Sequence, residues 1–507
     1  MSTALRYHQA TKYAPETINN HPEIDWSAAP GAFKSYASEA PIRLAAFLPH
    51  DPNPFTGEHP RELAAAPAGL SLAGLSRLIY ATYGVTGLIP QASKPTYLRA
   101  APSAGGLYPA ELYLVVRDFV GLPPGLYGYH PLQHALVLLW EDASAHTALV
   151  QACYGHAQVA AAPLTMIVSG VFERSRWRYR ERAYRRVLLD TGHLLANALL
   201  VGPELDLRIG LTAAFCDERL NALLRCDASD EGALAVLPIN APGPNERPAW
   251  AALPSPLPSP LPNPLLDDGN GDTLQALHAA SGCGFERPRM PALGDESAEA
   301  LHAKHGWSAG VSLLGDGLAP NPLVGQVFHG ICDRRSTRGY SDTTITGEQL
   351  ARILAAAYLP EEIRLHAQPA LVPDLLMTFI AIVGVDGLDD GVYYLAPQGL
   401  ELRRIRNEVS RQALGFLCLG QELGANAAAV VFHAADLTTA VRRYGDRAYR
   451  YLHLDAGMLG ERLNLAALAE DLGASGIGGF FDDQITELLG IPREQAVVYV
   501  TTLGNPA

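Results

Sequence analysis

The chain has 507 residues, of which 48% are hydrophobic and 18% charged, and a formal net charge of −14. That length holds two or three domains, and that balance belongs to a globular protein with large cores. The acidic surplus excludes a general nucleic-acid binder, which needs a basic surface, and no apolar run reaches the roughly 18 residues of a membrane span.

The amino-terminal MSTALRYHQATK lacks the apolar stretch of a secretory signal, so a cytoplasmic location is expected. In PSAGGLYPAE (102–111), small residues at 103–106 let backbone approach a flat ligand closely. ELYLVVRDF (111–119) reads as a buried strand and GLYGYHP (125–131) as a hairpin. RYRERAYRRVLLDTGH (178–193) then opens a helix. Its apolar positions (Ala183, Val187, Leu188, Leu194, Leu195, Leu199) recur every three to four residues. Here Asp190 is expected to answer the arginines of its own segment, as is Asp455 in the later copy, and His193 to be a satisfied core histidine. The basic run 174–186 is expected to be a solvated face, with a surface for an acidic peptide or carrier protein as the alternative. A short helix and the strand GALAVLPI (232–239) follow.

PSPLPSPLPNPLLDDGNGD (254–272) is an extended proline-rich spacer. Beyond it, RRSTRGYSDTTITGEQLARIL (334–354) sets Arg334, Arg335 and Arg338 around Ser336. Guanidinium groups and a hydroxyl converging on one point suit a phosphate monoester. LLMTFIAIVGV (375–385) and GVYYLAP (391–397) repeat the strand and hairpin. RYGDRAYRYLHLDAGM (443–458) repeats the helix opening, GASGIGGFFDD (473–483) offers backbone to a planar group, and AVVYVTTLG (496–504) is the last strand.

Residues 178–224 align with 443–489 without a gap, with 17 of 47 positions identical. A repeat on this scale implies one fold twice: an α+β architecture, with helices around a short mixed sheet in each copy. The expected boundaries are a first domain at 1–245, a linker with short helices at 246–325 and a second domain at 326–507. The six cysteines have no CxxC spacing and read as free buried thiols, with no metal site.

Tyr7-His8, Ala10-Thr11-Lys12, Ser103 to Glu111 and Arg178 to Asn197, together with RRSTRGY and GIGGF, carry a family resemblance. The chain resembles the flavin-dependent nitroreductase superfamily, and within it the SagB-type, thiazole/oxazole-forming peptide dehydrogenases. That resemblance implies two tandem nitroreductase-like domains forming an intramolecular pseudo-dimer with FMN between them. It implies Arg334, Arg335, Ser336 and Arg338 at the phosphate, and Gly478 and Gly479 at the reactive edge of the ring. Pro102, Ser103, Ala104 and Gly105 are implied as the loop reaching across from the other domain.

The copies differ where this site needs its parts. LTAAF (211–215) puts alanines where GIGGF has glycines, and QPALVPDL (368–375) lacks the serine and glycines of PSAGGLYPAE. The mirror site keeps only His8, Thr11 and Lys12 as a phosphate grip, so one FMN per chain is expected. Where the resembling enzymes have Lys-Tyr, this chain has Arg178-Tyr179. An arginine stays protonated and is a poor base, which leaves it to hold a carboxylate or a developing enolate, and Tyr179 to transfer a proton if its neighbour lowers its pKa. The implied reaction is two-electron dehydrogenation of an amino-acid- or peptide-derived substrate, azoline to azole, with dioxygen as acceptor and biosynthetic proteins as possible partners. The alternatives are an NAD(P)H-dependent nitro or quinone reductase and a flavin-free scaffold.

Overall fold

The computed structural model describes residues 1–19, 24–36, 41–48, 69–90, 95–241, 273–285, 296–314, 318–359, 371–397 and 399–507. The proline-rich spacer and the first three residues of QPALVPDL lie outside them. Each copy builds a seven-stranded sheet on the same plan. In the first, Ala110–Val116 lies between Gly125–His130 and Leu164–Val171, and Glu231–Asn240 follows outward. In the second, Leu376–Ile382, Gly391–Ala396, Ala429–Ala435 and Ala496–Gly504 take the same places.

The correspondence extends to register. Ala110 faces Gly170 and Val116 faces Leu164, as Leu376 faces Ala435 and Ile382 faces Ala429. Register shifts after Leu126 and Val168 recur after Val392 and His433. Every neighbouring pair in both large sheets is antiparallel, which corrects the expected mixed sheet. Hairpin-length links such as the one between Gly125–His130 and Ala135–Trp140 leave no room for a parallel crossover.

Two long helices, Ala183–Val201 and Ala448–Ala469, form the shared core. They cross at the repeated glycines. A Cβ on Gly192 would sit 2.3 Å from the Leu454 carbonyl oxygen, and one on Gly457 would sit 2.3 Å from that of Leu189. Backbone thus packs on backbone at a pseudo-twofold axis.

The repeated arginines and aspartates close this interface reciprocally, as a twofold contact requires. Arg182 and Arg185 reach Asp482 of the second copy, each at 2.7 Å, while Arg447 and Arg450 reach Asp217 of the first at 2.5 and 2.6 Å. Asp217 is buried, which alone would raise its pKa; Arg447 and Arg450 override that and hold it at about 2.

The symmetry also reaches into the stretch expected as linker. The helix Leu274–Ala280 is the counterpart of the amino-terminal helix Thr3–Ala10. Arg185 donates to the His8 carbonyl and Thr11 Oγ1, and Arg450 donates to the His278 carbonyl and Ser281 Oγ. Likewise Tyr449 bonds His8 Nδ1 and Tyr184 bonds His278 Nδ1. The side chains of Thr11 and Lys12 are therefore committed to the interface, Lys12 through a 2.6 Å pair with Asp483. They are not free to serve as the mirror-site phosphate grip.

All six cysteines are unpaired. Among the described residues no cluster could hold a metal ion, and no helix is long and apolar enough to cross a membrane.

Candidate functional site

A cleft of about 120 Å³ opens between the copies. Pro102, Ser103, Ala104 and Gly105 form one wall, and Ser336, Arg338, Ser475, Gly476 and Gly478 line it from the second copy. The chain holds the first wall by a specific anchor. Ser103 Oγ donates to Asp190 Oδ2 at 2.6 Å, Ala104 N–H donates to both carboxylate oxygens at 3.2 Å, and Tyr108 N–H donates to Ser103 Oγ at 2.8 Å. Gly105 and Gly106 then turn the loop at φ 67° and 68°, a conformation that favours glycine.

Asp190 therefore does not answer its neighbouring arginines, and neither does Asp455. The latter receives the Leu371 and Val372 N–H groups, so each aspartate clamps the loop before the central strand of its own copy. Burial raises both carboxyls to about 7.

On the opposite wall, Thr337 N–H donates to the Ala474 carbonyl, tying the arginine-rich segment to the strand Gly473–Ile477. This presents Ser336 and Arg338 to the cleft. Arg334 and Arg335 turn elsewhere, which corrects their expected place at a phosphate. Arg334 donates to the Ala100 carbonyl and lies 3.3 Å from Glu461, while Arg335 donates to Thr86 and to the Cys332 and Arg334 carbonyls. Both side chains dock one copy on the other. A Cβ on Gly478 would touch the Arg186 side chain at 3.4 Å, an ordinary van der Waals contact, so that side chain covers this glycine; Ala213 stands at the corresponding place in the first copy. Gly479 follows, and a Cβ there would meet Leu419 at 2.9 Å.

The cleft also has walls that sequence reasoning did not assign. His193, Asn464, Tyr499 and Arg186 all line it. His193 is a satisfied buried histidine, with Nδ1 at 2.8 Å from the Leu189 carbonyl and Nε2 at 3.1 Å from the Tyr499 hydroxyl. Burial lowers its pKa to about 4, so the ring is neutral. The missed signal lay in the repeat: the counterparts of Arg186, His193, Asn464 and Ser475 are Tyr451, Met458, Leu199 and Gly210.

Arg178 and Tyr179 line a second, larger cleft of about 940 Å³, together with Lys12, Trp26 and Glu181. The two cavities meet at Gly105, where a Cβ would lie 2.6 Å from both Arg178 Nη1 and the Tyr179 hydroxyl oxygen. Arg178 and Tyr179 thus both reach from the large cleft to the small one. Burial raises the pKa of Tyr179, and Arg186 and Arg178 only partly oppose that. The expectation that the neighbouring arginine lowers it is overturned by desolvation, and the group is a phenol at neutral pH.

Comparison with known proteins follows the same two-copy division. The model described as the nitroreductase family matches residues 62–239 and again 331–505. A crystal structure of a nitroreductase-like protein from Anabaena variabilis superposes over 100% of both chains, with TM-score 0.85 and 40% identity. A Methanocaldococcus jannaschii protein named as a nitroreductase is 33% identical over 165 residues, 32% of this chain and 78% of its own. The trifolitoxin-processing protein of Rhizobium leguminosarum bv. trifolii is 30% identical over 184 residues, 35% of this chain and 49% of its own. The microcin B17-processing protein of Escherichia coli is 28% identical over 145 residues, 27% and 52% of the two chains. The chain therefore spans about half the length of each of these processing proteins.

Proposed function

Because the chain belongs to the nitroreductase family, with its domain in two tandem copies, we propose that it is an FMN-dependent oxidoreductase that converts an amino-acid- or peptide-derived azoline to the azole. Dioxygen takes the electrons. The observation that carries this reading is the convergence at Gly105. There the serine-glycine loop, the Tyr179 hydroxyl and the cleft lined by Gly478 meet, one wall from each copy. Similarity to the trifolitoxin- and microcin B17-processing proteins supports a peptide-derived substrate.

The residues present fit the cofactor. Gly478 brings backbone to the cleft with no side chain of its own, the Tyr499 ring packs on Gly476, and Ser336 and Arg338 supply a hydroxyl and a cation at the cleft for a phosphate. When bound, FMN supplies a hydride acceptor. The chain's own part is to orient the substrate and take the proton. Arg178 cannot be the base. Tyr179 takes the proton from the substrate carbon as phenolate, and the Arg178 and Arg186 guanidiniums beside its ring, 5.3 and 3.8 Å from the centroid, favour that charged form. Since burial raises the pKa of Tyr179, its basic form grows as pH rises. The rate of flavin reduction is expected to climb about tenfold per pH unit through the neutral and alkaline range. Tyr179→Phe is expected to remove that slope and to slow reduction by about 10²–10⁴. A flat profile in the parent protein contradicts a base role for Tyr179.

The reaction itself is tested by anaerobic mixing of the FMN-loaded protein with a 2-methylthiazoline-4-carboxylate. Bleaching of the flavin with one thiazole formed per flavin, reversed by air, is expected. Rapid bleaching by NADPH with no response to the thiazoline points to a reductase instead.

The Asp190 clamp gives a separate test. Asp190→Leu leaves Ser103 Oγ and the Ala104 N–H without their acceptor; both groups are half-buried, so the cost falls toward the low end of about 1–3 kcal/mol for each. With the loop released, FMN is expected to bind at least about tenfold more weakly in a fluorescence titration, each 1.4 kcal/mol being a factor of ten. Unchanged affinity would remove this loop from the binding site.

A further inference from the structure

Six of the seven arginines in the basic run 174–186 sort into two groups. Arg174 pairs with Glu111, Arg176 with Glu181, and Arg182 and Arg185 with Asp482. Arg178 and Arg186 have no carboxylate at ion-pair distance among the described residues, and each lines a cavity. Arg186 is 4% exposed, and its Nη1 has no hydrogen-bond partner. Its guanidinium lies 3.8 Å from the Tyr179 ring centroid, beside Gly478 and Gly479. Arg178 lies 5.3 Å from the same ring and 5.5 Å from that of Trp26 at the mouth.

The second copy shows what has been removed. There Arg443, the counterpart of Arg178, pairs with Asp374 at 2.7 Å. The sheet registers place Tyr108 where the second copy has Asp374, and the repeat in sequence places Tyr451 where the first has Arg186. The one carboxyl close to Arg186 in the cleft is Asp190, and its oxygens are taken by Ser103 and Ala104. A permanent cation buried without a counter-charge costs stability unless a ligand supplies the charge, and a guanidinium matches a carboxylate in shape as well as sign.

We propose that Arg178 and Arg186 form an anion subsite around Tyr179 that takes the carboxylate of the substrate, so that the substrate is a heterocycle bearing a free acid rather than a residue inside a peptide. This rests on the flavin-dehydrogenase reading above and narrows its substrate class. The carboxylate lies between the two guanidiniums, with the carbon that loses its proton next to the Tyr179 hydroxyl. The larger cleft past Trp26 accepts the substituent on the far side of the ring.

The test uses FMN-loaded protein and two redox-inert probes, 2-methylthiazole-4-carboxylate and 2-methylthiazole-4-carboxamide, with binding read from the change in flavin absorbance. The carboxylate is expected to bind at least about tenfold more tightly than the amide. Arg186→Gln and Arg178→Gln are each expected to erase most of that preference, and Arg186→Lys to restore part of it. Arg176→Gln, which removes an already paired charge from the same run, is expected to change nothing. Equal binding of the two probes, or binding of neither, overturns the proposal. So does an Arg186→Gln variant that loses FMN affinity while keeping the carboxylate preference, because that assigns the guanidinium to the cofactor. A parent chain that takes up no FMN instead sinks the flavin reading itself, which separates the two failures.

Discussion

Gly192→Ala is expected to destabilise the protein by upward of about 3 kcal/mol, although alanine is the better helix former. On propensity alone, glycine to alanine inside a helix gains roughly 1 kcal/mol. Here the new Cβ would stand 2.3 Å from the Leu454 carbonyl oxygen and 2.8 Å from the Gly457 Cα, both backbone atoms of the facing core helix. Neither can move without separating the two copies, and overpacking of this kind costs about 1–3 kcal/mol or more even where side chains can adjust. Gly457→Ala is expected to cost a similar amount, since its Cβ meets the Leu189 carbonyl at 2.3 Å. The double variant is expected to lose much less than the sum, because one separation of the helices relieves both clashes. Chemical denaturation of the four proteins checks this. A Gly192→Ala variant as stable as the parent would mean that the two helices do not touch there.

Asp217→Ala is expected to cost about 3–5 kcal/mol, the penalty for stranding a buried charge. It leaves Arg447 and Arg450, both essentially inaccessible, facing each other without the carboxylate they share. The sign of the pH dependence follows from the depressed pKa of Asp217. Its contribution is fully present above the unfolded value near 4 and is lost as pH falls toward about 2. Denaturation midpoints measured down the acid limb are expected to fall more steeply for the parent than for the variant over that range. Asp190, Asp455 and Glu461 act in the opposite direction. Burial raises each to about 7, so each costs stability as pH rises from about 4 through 7.

The repeat itself was legible in the sequence, and so was the pseudo-dimer it implies. What the identities meant was less so. Arg182, Arg185, Gly192 and Asp217 recur as Arg447, Arg450, Gly457 and Asp482 because both sides of a twofold interface must present the same surface. The cleft between the copies is lined where they differ: Arg186 against Tyr451, His193 against Met458, Gly478 against Ala213. Reading identity as function put Asp190 with its neighbouring arginines, whereas long-range packing gave it to the Ser103 loop, 87 residues away. Arg334 and Arg335 misled for a related reason. Charge and spacing predict an anion site, but these guanidiniums instead reach the carbonyls of Ala100 and Thr86 on the other copy, although Nη1 of Arg334 is left without a partner. The antiparallel pairing of Gly125–His130 with Ala135–Trp140 followed from a hairpin length that the sequence did display, whereas that of Ala110–Val116 with Leu164–Val171 and of Leu164–Val171 with Glu231–Asn240 crosses long connections and was not legible. The counterpart of the amino-terminal helix was hidden because Leu274–Ala280 shares little with Thr3–Ala10 beyond the histidine and hydroxyl that its arginine needs.

By the function proposed above, two related copies build one flavin site. The most direct test is the ratio of FMN to protein chain after full reconstitution and removal of free flavin, with protein measured by amino-acid analysis. One FMN per chain is the predicted result; a ratio near two, or a chain that takes up no flavin, contradicts it.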